Sequence, residues 1–392
     1  MNKIELLAPA GDLEKLKYAV RYGADAVFIG GKHFSLRSMA SNFTLEDIKE
    51  GCKFAHEHGS KVHVTCNIVM HESDVEGIKE YLLQLEECGV DAIIASSITI
   101  LKMVKQYTHM EAHVSTQQSV SNSLGVKFFE NLGVDRVVLA RECTLENIKE
   151  IVDKTNADIE VFIEGGMCAS VSGRCMLSNV MTNRDANRGG CAHSCRWNYD
   201  LYQGDNKVSP GNHNFTMSSC DLNAITLIPD LIKAGVASLK IEGRMKSLHY
   251  VATVVNAYRR CIDEYYEKGY IKDMNKYVED ISRGENRIVC TGFLKGQVTE
   301  KEEIYNDETY EPSHEFIGIV KEYDKATHIA TVEQRNFFKG NRSIEILSPI
   351  KGRYSINIKE LYDKDMNEID AARHAQMMVK FYTEEELEPF NL

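Results

Sequence analysis

An α/β fold is predicted for this chain of 392 residues: a TIM-type (β/α)8 barrel with a cysteine-rich insertion after strand seven, then a small C-terminal all-β domain. Three observations predict it. Eight short runs rich in Val and Ile alternate with segments of helical apolar spacing. Several of those runs are apolar on both faces, as strands buried in a parallel sheet are. After residue 270 the texture changes to short alternating strands joined by Asp, Gly and Asn turns.

In order, the strand-like runs are IELLAP (4–9), DAVFIG (25–30), KVHVTCNIV (61–69), DAIIAS (91–96), EAHVST (111–116), DRVVLAR (135–141), IEVFIEG (159–165) and ASLKIEG (237–243). Between them lie DLEKLKYAVRYG, TLEDIKEGCKFAHEHG, DVEGIKEYLLQLEECG and TLENIKEIVDKT, which begin at Thr or Asp caps; three of them stop at Gly. Eight β/α units are what a closed barrel needs. The alternative is an open doubly wound sheet, but the first βα turn has no clear GxGxxG to support its dinucleotide-binding version. The barrel is expected over 1–270 with the insertion at 166–220, a linker over 271–309, and a small β-barrel or sandwich over 310–392.

The connection from Gly165 to Ala237 is far longer than an ordinary crossover. It holds MCASVSGRCMLSNVMTNRDANRGGCAHSCRW (167–197), a turn QGDNKVSPGNHN, a short run FTMSS and a helix-like DLNAITLIPDLIKAG. Eleven cysteines in a chain with no signal-like N-terminus and no long apolar run suggest a cytoplasmic protein whose thiols are not in disulfides. Four of them, Cys168, Cys175, Cys191 and Cys195, crowd into this one segment. Four thiolates can hold zinc or an iron–sulfur cluster. Cys191 and Cys195 have zinc-knuckle spacing; Cys168 and Cys175 do not. A 4Fe–4S cluster, zinc and a redox or structural thiol set all stay open on spacing alone.

The net charge of -12 excludes a uniformly basic nucleic-acid surface, so any phosphate contact needs a local basic patch. Arg174, Arg184, Arg188 and Arg196 interleave with the cysteines, and LKIEGRMKS adds Arg244 and Lys246 after strand eight. Arginines beside thiolates can offset their charge or hold an anionic substrate bidentately. Loops that follow barrel strands share the C-terminal face, where barrel enzymes do their chemistry. Strand ends offer Asn67, His113, Ser115, Gln117, Arg141, Glu164 and Glu242 to that face, each of which taken singly is more often a satisfied structural group. His113, Glu242 and Arg244 are the catalytic candidates; Asn67, Gln117, Arg141 and the basic residues above are the substrate-binding ones. Trp197 and Tyr199 suit either base stacking or packing under the loop.

LLAPAGDLEKLKYAVRYGADAVFIGG, HVSTQQSVSN, GGMCASVSGRCMLSN, RDANRGGCAHSCRWNYDLY and SLKIEGRMKSLHYVATVVNAYR resemble the collagenase-like peptidase U32 family, in its bacterial tRNA-hydroxylation branch. FIGIVKEYD, VEQRNFFKG and IEILSP resemble that branch's small β domain, so the resemblance covers nearly the whole chain. It implies oxygen-independent, prephenate-dependent conversion of the wobble uridine of certain tRNAs to 5-hydroxyuridine. It also implies a 4Fe–4S cluster on Cys168, Cys175, Cys191 and Cys195, with Cys220 as an alternative to Cys195 because ubiquinone-hydroxylation relatives place the fourth ligand further downstream. Zinc would then be an alternative or artefactual occupant. Partners implied are tRNA, prephenate or a similar small anion, and a paralogous chain of the same family; no membrane is expected. One departure stands out: EGGMC puts Glu164 where the family often has a His-containing HGAMC.

Two other functions compete. A peptidase would need a cysteine nucleophile with a nearby His, such as Cys191 with His193, or an HExxH motif, and HEHG and HESD lack the second His. A non-catalytic subunit of a heteromeric hydroxylase is the third class. No Cys-x3-Cys-x2-Cys pattern of radical-SAM enzymes is present.

Overall fold

A computed structural model describes residues 3–35, 42–209, 215–284, 287–299, 302–304 and 314–392. Residues 210–214 of the QGDNKVSPGNHN turn and residues 305–313, from the end of the expected linker into the start of the expected β domain, lie outside the described residues.

Seven parallel strands follow one another: β1 (Glu5–Pro9), β2 (Ala26–Gly30), β3 (Lys61–Cys66), β4 (Ala92–Ala95), β5 (Glu111–Val114), β6 (Arg136–Val138) and β7 (Asp158–Gly165). The eighth barrel strand, Ser238–Ile241, pairs in parallel with β1 (Leu6 opposite Leu239) and with β7 (Leu239 opposite Val161), which closes the barrel. Helices α1 (Leu13–Arg21), α2 (Leu45–Glu57), α3 (Ile78–Glu87), α4 (Ile98–Tyr107), α5 (Ser123–Glu130) and α6 (Leu145–Lys154) fill the crossovers after β1 to β6. Their starts are chemically explicit. Asp12 caps α1, and Thr44 with Asp47 and Thr144 with Asn147 form reciprocal capping boxes on α2 and α6.

Strand side chains alternate between two environments. Leu6, Ala8, Val27, Ile29 and Val64 join the main apolar core under the helices. Leu7, Ala26, Phe28 and Ile94 form a small separate cluster inside the barrel. The rest of the interior is not apolar: His63, His113, Arg136, Glu160 and Lys240 are all 5% exposed or less. Apolar side chains fill both faces of β1 beyond Glu5, of β2 and of β4, whereas β3, β5, β6, β7 and the eighth strand carry polar or charged residues inside the barrel.

The insertion after β7 contains helix α7 (Leu177–Thr182), several single turns and a strand Asp221–Asn223. That strand runs antiparallel to the end of β7, with Leu222 opposite Gly165. The first residues of the helix-like DLNAITLIPDLIKAG are thus strand; only α8 (Ile228–Lys233) is α-helix. The expected linker is also structured. After α9 (Leu248–Lys268) come α10 (Met274–Ser282) and a strand Val289–Cys290 that pairs with Asp221–Asn223. The C-terminal region is all-β, with a five-stranded sheet led by Gly318–Asp324 and Ile329–Gln334 around Val320, Phe338, Ile356 and Phe381. It rests on the barrel, where the Tyr22 hydroxyl donates to Leu347 O at 2.8 Å and Phe390 O at 2.7 Å.

Candidate active site

The C-terminal mouth of the barrel and the inner side of the insertion enclose a cavity of roughly 610 Å³. Its floor is barrel: Phe28, Thr65, Ile94, Phe162 and Lys240. Its roof is the insertion, and Cys168, Cys175, Cys191 and Cys195 all line it. The four thiols lie close enough to influence one another. Burial pushes the Cys195 thiol up, Cys168, Cys191 and Cys175 add to that, and Arg196 opposes it. All eleven cysteines are free thiols.

Local bonds hold the segment in shape. Asn187 brackets Cys175: its Oδ1 accepts from the Cys175 amide at 3.3 Å and its Nδ2 donates to the Cys175 carbonyl at 3.1 Å. The Cys175 sulfur accepts the Leu177 amide at 3.3 Å. The Ala192 amide, next to Cys191, is held by Ser178 Oγ at 3.1 Å, and the Met217 amide donates to the Cys195 carbonyl at 3.0 Å. At the seam with the barrel, Gly165 adopts φ +99°, and a Cβ there would sit 2.4 Å from the Glu242 carbonyl oxygen, so only glycine lets β7 and the loop after the eighth strand approach. Among the described residues no three His, Cys, Asp or Glu side chains close on a point as a single metal ion requires. Tetrahedral zinc needs thiolates about 3.8 Å apart, from bonds of about 2.3 Å. Four thiols lining one cavity are the donor set that a four-thiolate cluster uses.

Seven predicted site residues meet at this cavity: Asn67, Gln117, Arg141, Arg196, Glu242, Arg244 and Lys246. Arg244 is 4% exposed; its Nη1 donates to Ser35 Oγ at 2.9 Å and Thr65 Oγ1 at 3.2 Å, and its Nη2 to Asn42 Oδ1 at 3.0 Å. Gly30 makes room for it, since a Cβ there would lie 2.1 Å from Arg244 Nη2. The Arg141 guanidinium lies 3.7 Å from the Phe162 ring centre and 3.7 Å from the Glu242 carboxylate. Lys246 lies 3.5 Å from Asp221.

The other candidates lie elsewhere. His113, expected as a catalyst in the mouth, is fully buried lower in the barrel, where its Nε2 bonds the Glu111 carboxylate at 2.9 Å and its ring meets His63 edge-on at 4.9 Å. Alternation along β5 points it inward, but one layer too deep to reach the cavity. Arg174 and Arg184 are exposed outside the cavity; the Arg174 Nε donates to Gln117 O at 2.5 Å. Arg188 is a clamp: it grips Asp74 with both nitrogens (2.6 and 3.0 Å) and Val69 O at 2.6 Å. The Arg188 hydrogen bonds hold the Asp74 carboxyl down to about 2. Cys220 does not line the cavity; it is 2% exposed and hydrogen-bonds the Cys290 thiol. Glu164, at the departure from the HGAMC pattern, accepts from the Tyr258 hydroxyl at 2.9 Å and is buried. The Tyr199 hydroxyl is engaged by Ser194 O at 2.6 Å, while Trp197 is exposed.

Comparison with known proteins agrees with this architecture. The model of peptidase family U32 matches residues 11–304, and that of the family's C-terminal domain matches residues 312–392. The chain belongs to peptidase family U32. Within the family it is 45% identical to tRNA hydroxylation protein P1 of Bacillus subtilis over 398 aligned positions, covering all of this chain and 94% of that protein. It is 39% identical to the 23S rRNA 5-hydroxycytidine C2501 synthase of Escherichia coli, over 68% of this chain and 40% of that protein. It is 32% identical to a collagenase of Porphyromonas gingivalis, over 76% of this chain and 75% of that protein.

Two cavity residues of this U32 chain escape a reading of the sequence. Lys240 sits inside the apolar-looking ASLKIEG; its signal was a lone charge within a buried strand. Arg287 comes from the expected linker, where its Nη1 bonds Asp221 at 2.5 Å and its Nη2 bonds Ser218 Oγ at 2.6 Å. Nothing local marks it, because only the pairing of Val289–Cys290 with Asp221–Asn223 brings it to the cavity.

Proposed function

We propose that this chain is a tRNA-modifying enzyme that hydroxylates the wobble uridine to 5-hydroxyuridine without molecular oxygen, with prephenate as the hydroxyl source. The supporting observation is that four thiols and the cations Arg141, Arg196, Arg244 and Lys246 open on one cavity. The similarity to tRNA hydroxylation protein P1 over the whole of this chain supports a hydroxylation reaction. Cys168, Cys175, Cys191 and Cys195 would hold a 4Fe–4S cluster, which when bound supplies one-electron chemistry. The cations bind carboxylates or phosphates, which carry the bidentate geometry that guanidinium groups match. Arg174, Arg184 and Arg196 are exposed on the insertion, basic residues on an acidic chain where RNA phosphates can approach. Among the described residues no helix is long and apolar enough to cross a membrane. A paralogous U32 chain remains part of the proposal as a partner in the reaction.

The decisive experiment is nucleoside mass spectrometry of bulk tRNA from a strain lacking the gene. We expect loss of 5-hydroxyuridine derivatives and their return with the wild-type gene but not with Cys191→Ser. Unchanged nucleosides in a strain with no second copy would reject the proposal.

A further inference from the structure

Beneath the cavity the barrel interior carries a continuous line of charge. Lys240 Nζ donates to Glu160 Oε1 at 2.8 Å. Glu160 Oε2 accepts from Arg136 Nη1 at 3.2 Å, and Arg136 in turn holds Glu5 through Nη1 at 2.5 Å and Nη2 at 3.2 Å. Burial works to raise the Glu160 pKa, but Lys240 and Arg136 outweigh it and bring it to about 2. The line joins Lys240 and Arg136 to Glu160 and Glu5, and Arg136 also lies 3.5 Å from the more exposed Asp158 at its outer end. Such a buried array adds little stability over apolar packing, because removing each charge from water costs nearly what pairing returns. Its placement is informative instead.

Of these four side chains only Lys240 lines the cavity. Its ammonium has three N–H donors, and Glu160 takes one of them. It lies 4.6 Å from the Phe28 ring centre and 5.5 Å from that of Phe162, both of which wall the same cavity. Arg141 stands over Phe162 as well. Rings on the floor displace water, and a cation in such surroundings attracts an anion more strongly than one in solvent.

We propose that Lys240 is a substrate-binding residue, whose ammonium, fixed by Glu160 at the cavity floor between Phe28 and Phe162, receives the carboxylate of a small organic anion. Glu160, itself paired with Arg136, holds the Lys240 ammonium in place without an external partner. Arg141 is placed to meet a second acidic group of the same ligand. The inference deepens the proposed function and rests on it only for the reaction that follows binding.

The test uses the full chain purified anaerobically. Calorimetric titration with prephenate, succinate and inorganic phosphate is compared for wild type, Lys240→Met, Lys240→Arg and the double variant Lys240→Met/Glu160→Gln. We expect prephenate affinity to fall about tenfold or more in Lys240→Met, the loss of one charge-assisted hydrogen bond. Lys240→Arg should keep part of it, and tRNA affinity should not change. The double variant no longer buries a bare carboxylate; it should fold with wild-type absorbance and stay as weak as Lys240→Met. Wild-type binding by the double variant would reduce Lys240 to a neutraliser of Glu160 and overturn the proposal. So would wild-type binding by Lys240→Met, failure of the wild type to bind any of the three anions, or phosphate binding as tight as that of the carboxylates. A wild type that binds prephenate through Lys240 but leaves uridine unmodified would support the site while removing the proposed reaction.

Discussion

Asp74 and Arg188, 114 residues apart in sequence, fasten the cysteine segment to the loop after β3. The Asp74 carboxyl, held at about 2 by Arg188, is ionised in the folded protein before it is in the unfolded chain. Its stabilisation is present above the ordinary carboxylate range and is lost as pH falls through about 2. Arg188→Ala should destabilise by ~1 kcal/mol, as a partly exposed pair does, and raise hydrogen exchange across 167–197 while exchange in β1 to β6 is unchanged. Equal exchange throughout would show that the clamp is idle. The thiols are separable in the same way. Cys175→Ser should abolish most bound iron and the absorbance near roughly 400 nm that a cluster gives, whereas Cys220→Ser, buried beside Cys290, should keep both. Iron lost from Cys220→Ser but kept in Cys195→Ser would exchange the two in the ligand set.

At the scale of elements, the site depends on close approach of strand ends. Gly30 ends β2 directly under the Arg244 guanidinium. Gly30→Ala should displace that guanidinium, cost about 1–3 kcal/mol through overpacking, and lower hydroxylation at least as much as Arg244→Ala does. Thermal unfolding and nucleoside analysis of complemented strains together check this; full activity would mean Arg244 is dispensable. The helices around the barrel were legible because their signals are local. Thr44 with Asp47 and Thr144 with Asn147 are three residues apart, and their capping boxes form as those pairs allow. The strand Asp221–Asn223 was not legible, because its identity comes from antiparallel pairing with the end of β7 some 60 residues earlier. The same distance dependence hid Arg287.

At the scale of the whole molecule, a buried histidine in the barrel interior should make the protein acid-sensitive. His63 is fully buried, neither of its ring nitrogens has a hydrogen-bond partner among the described residues, and burial pushes its pKa down to about 3. The unfolded chain takes up that proton first, so the folded state is favoured fully above about pH 6.5 and loses about 1.4 kcal/mol per unit as pH falls toward 3. His63→Leu should flatten that limb of a stability-versus-pH curve measured by denaturant; an unchanged slope would locate the sensitivity elsewhere. The C-terminal domain is joined to the barrel by the Tyr22 hydroxyl, shared between Leu347 O and Phe390 O. Tyr22→Phe leaves buried carbonyls underbonded and should cost about 1–2 kcal/mol. If the two parts unfold together, the whole denaturation curve shifts; an early separate transition would show that they are only loosely coupled.

The sequence by itself determined the order of the eight barrel strands and the helices between them, the cysteine segment after β7, and the cations that follow the eighth strand. These are written in periodicity, caps and spacing, which depend on neighbours a few residues apart. Only the tertiary structure decided which of them meet. His113 and Lys240 are both polar residues facing the inside of the barrel, yet one lies under the cavity and the other lines it. Arg188 and Arg196 flank cysteines alike, yet one is bound to Asp74 and the other lines the cavity. Alternation along a strand says which way a side chain points; its depth in the barrel depends on the register and closure of all eight strands.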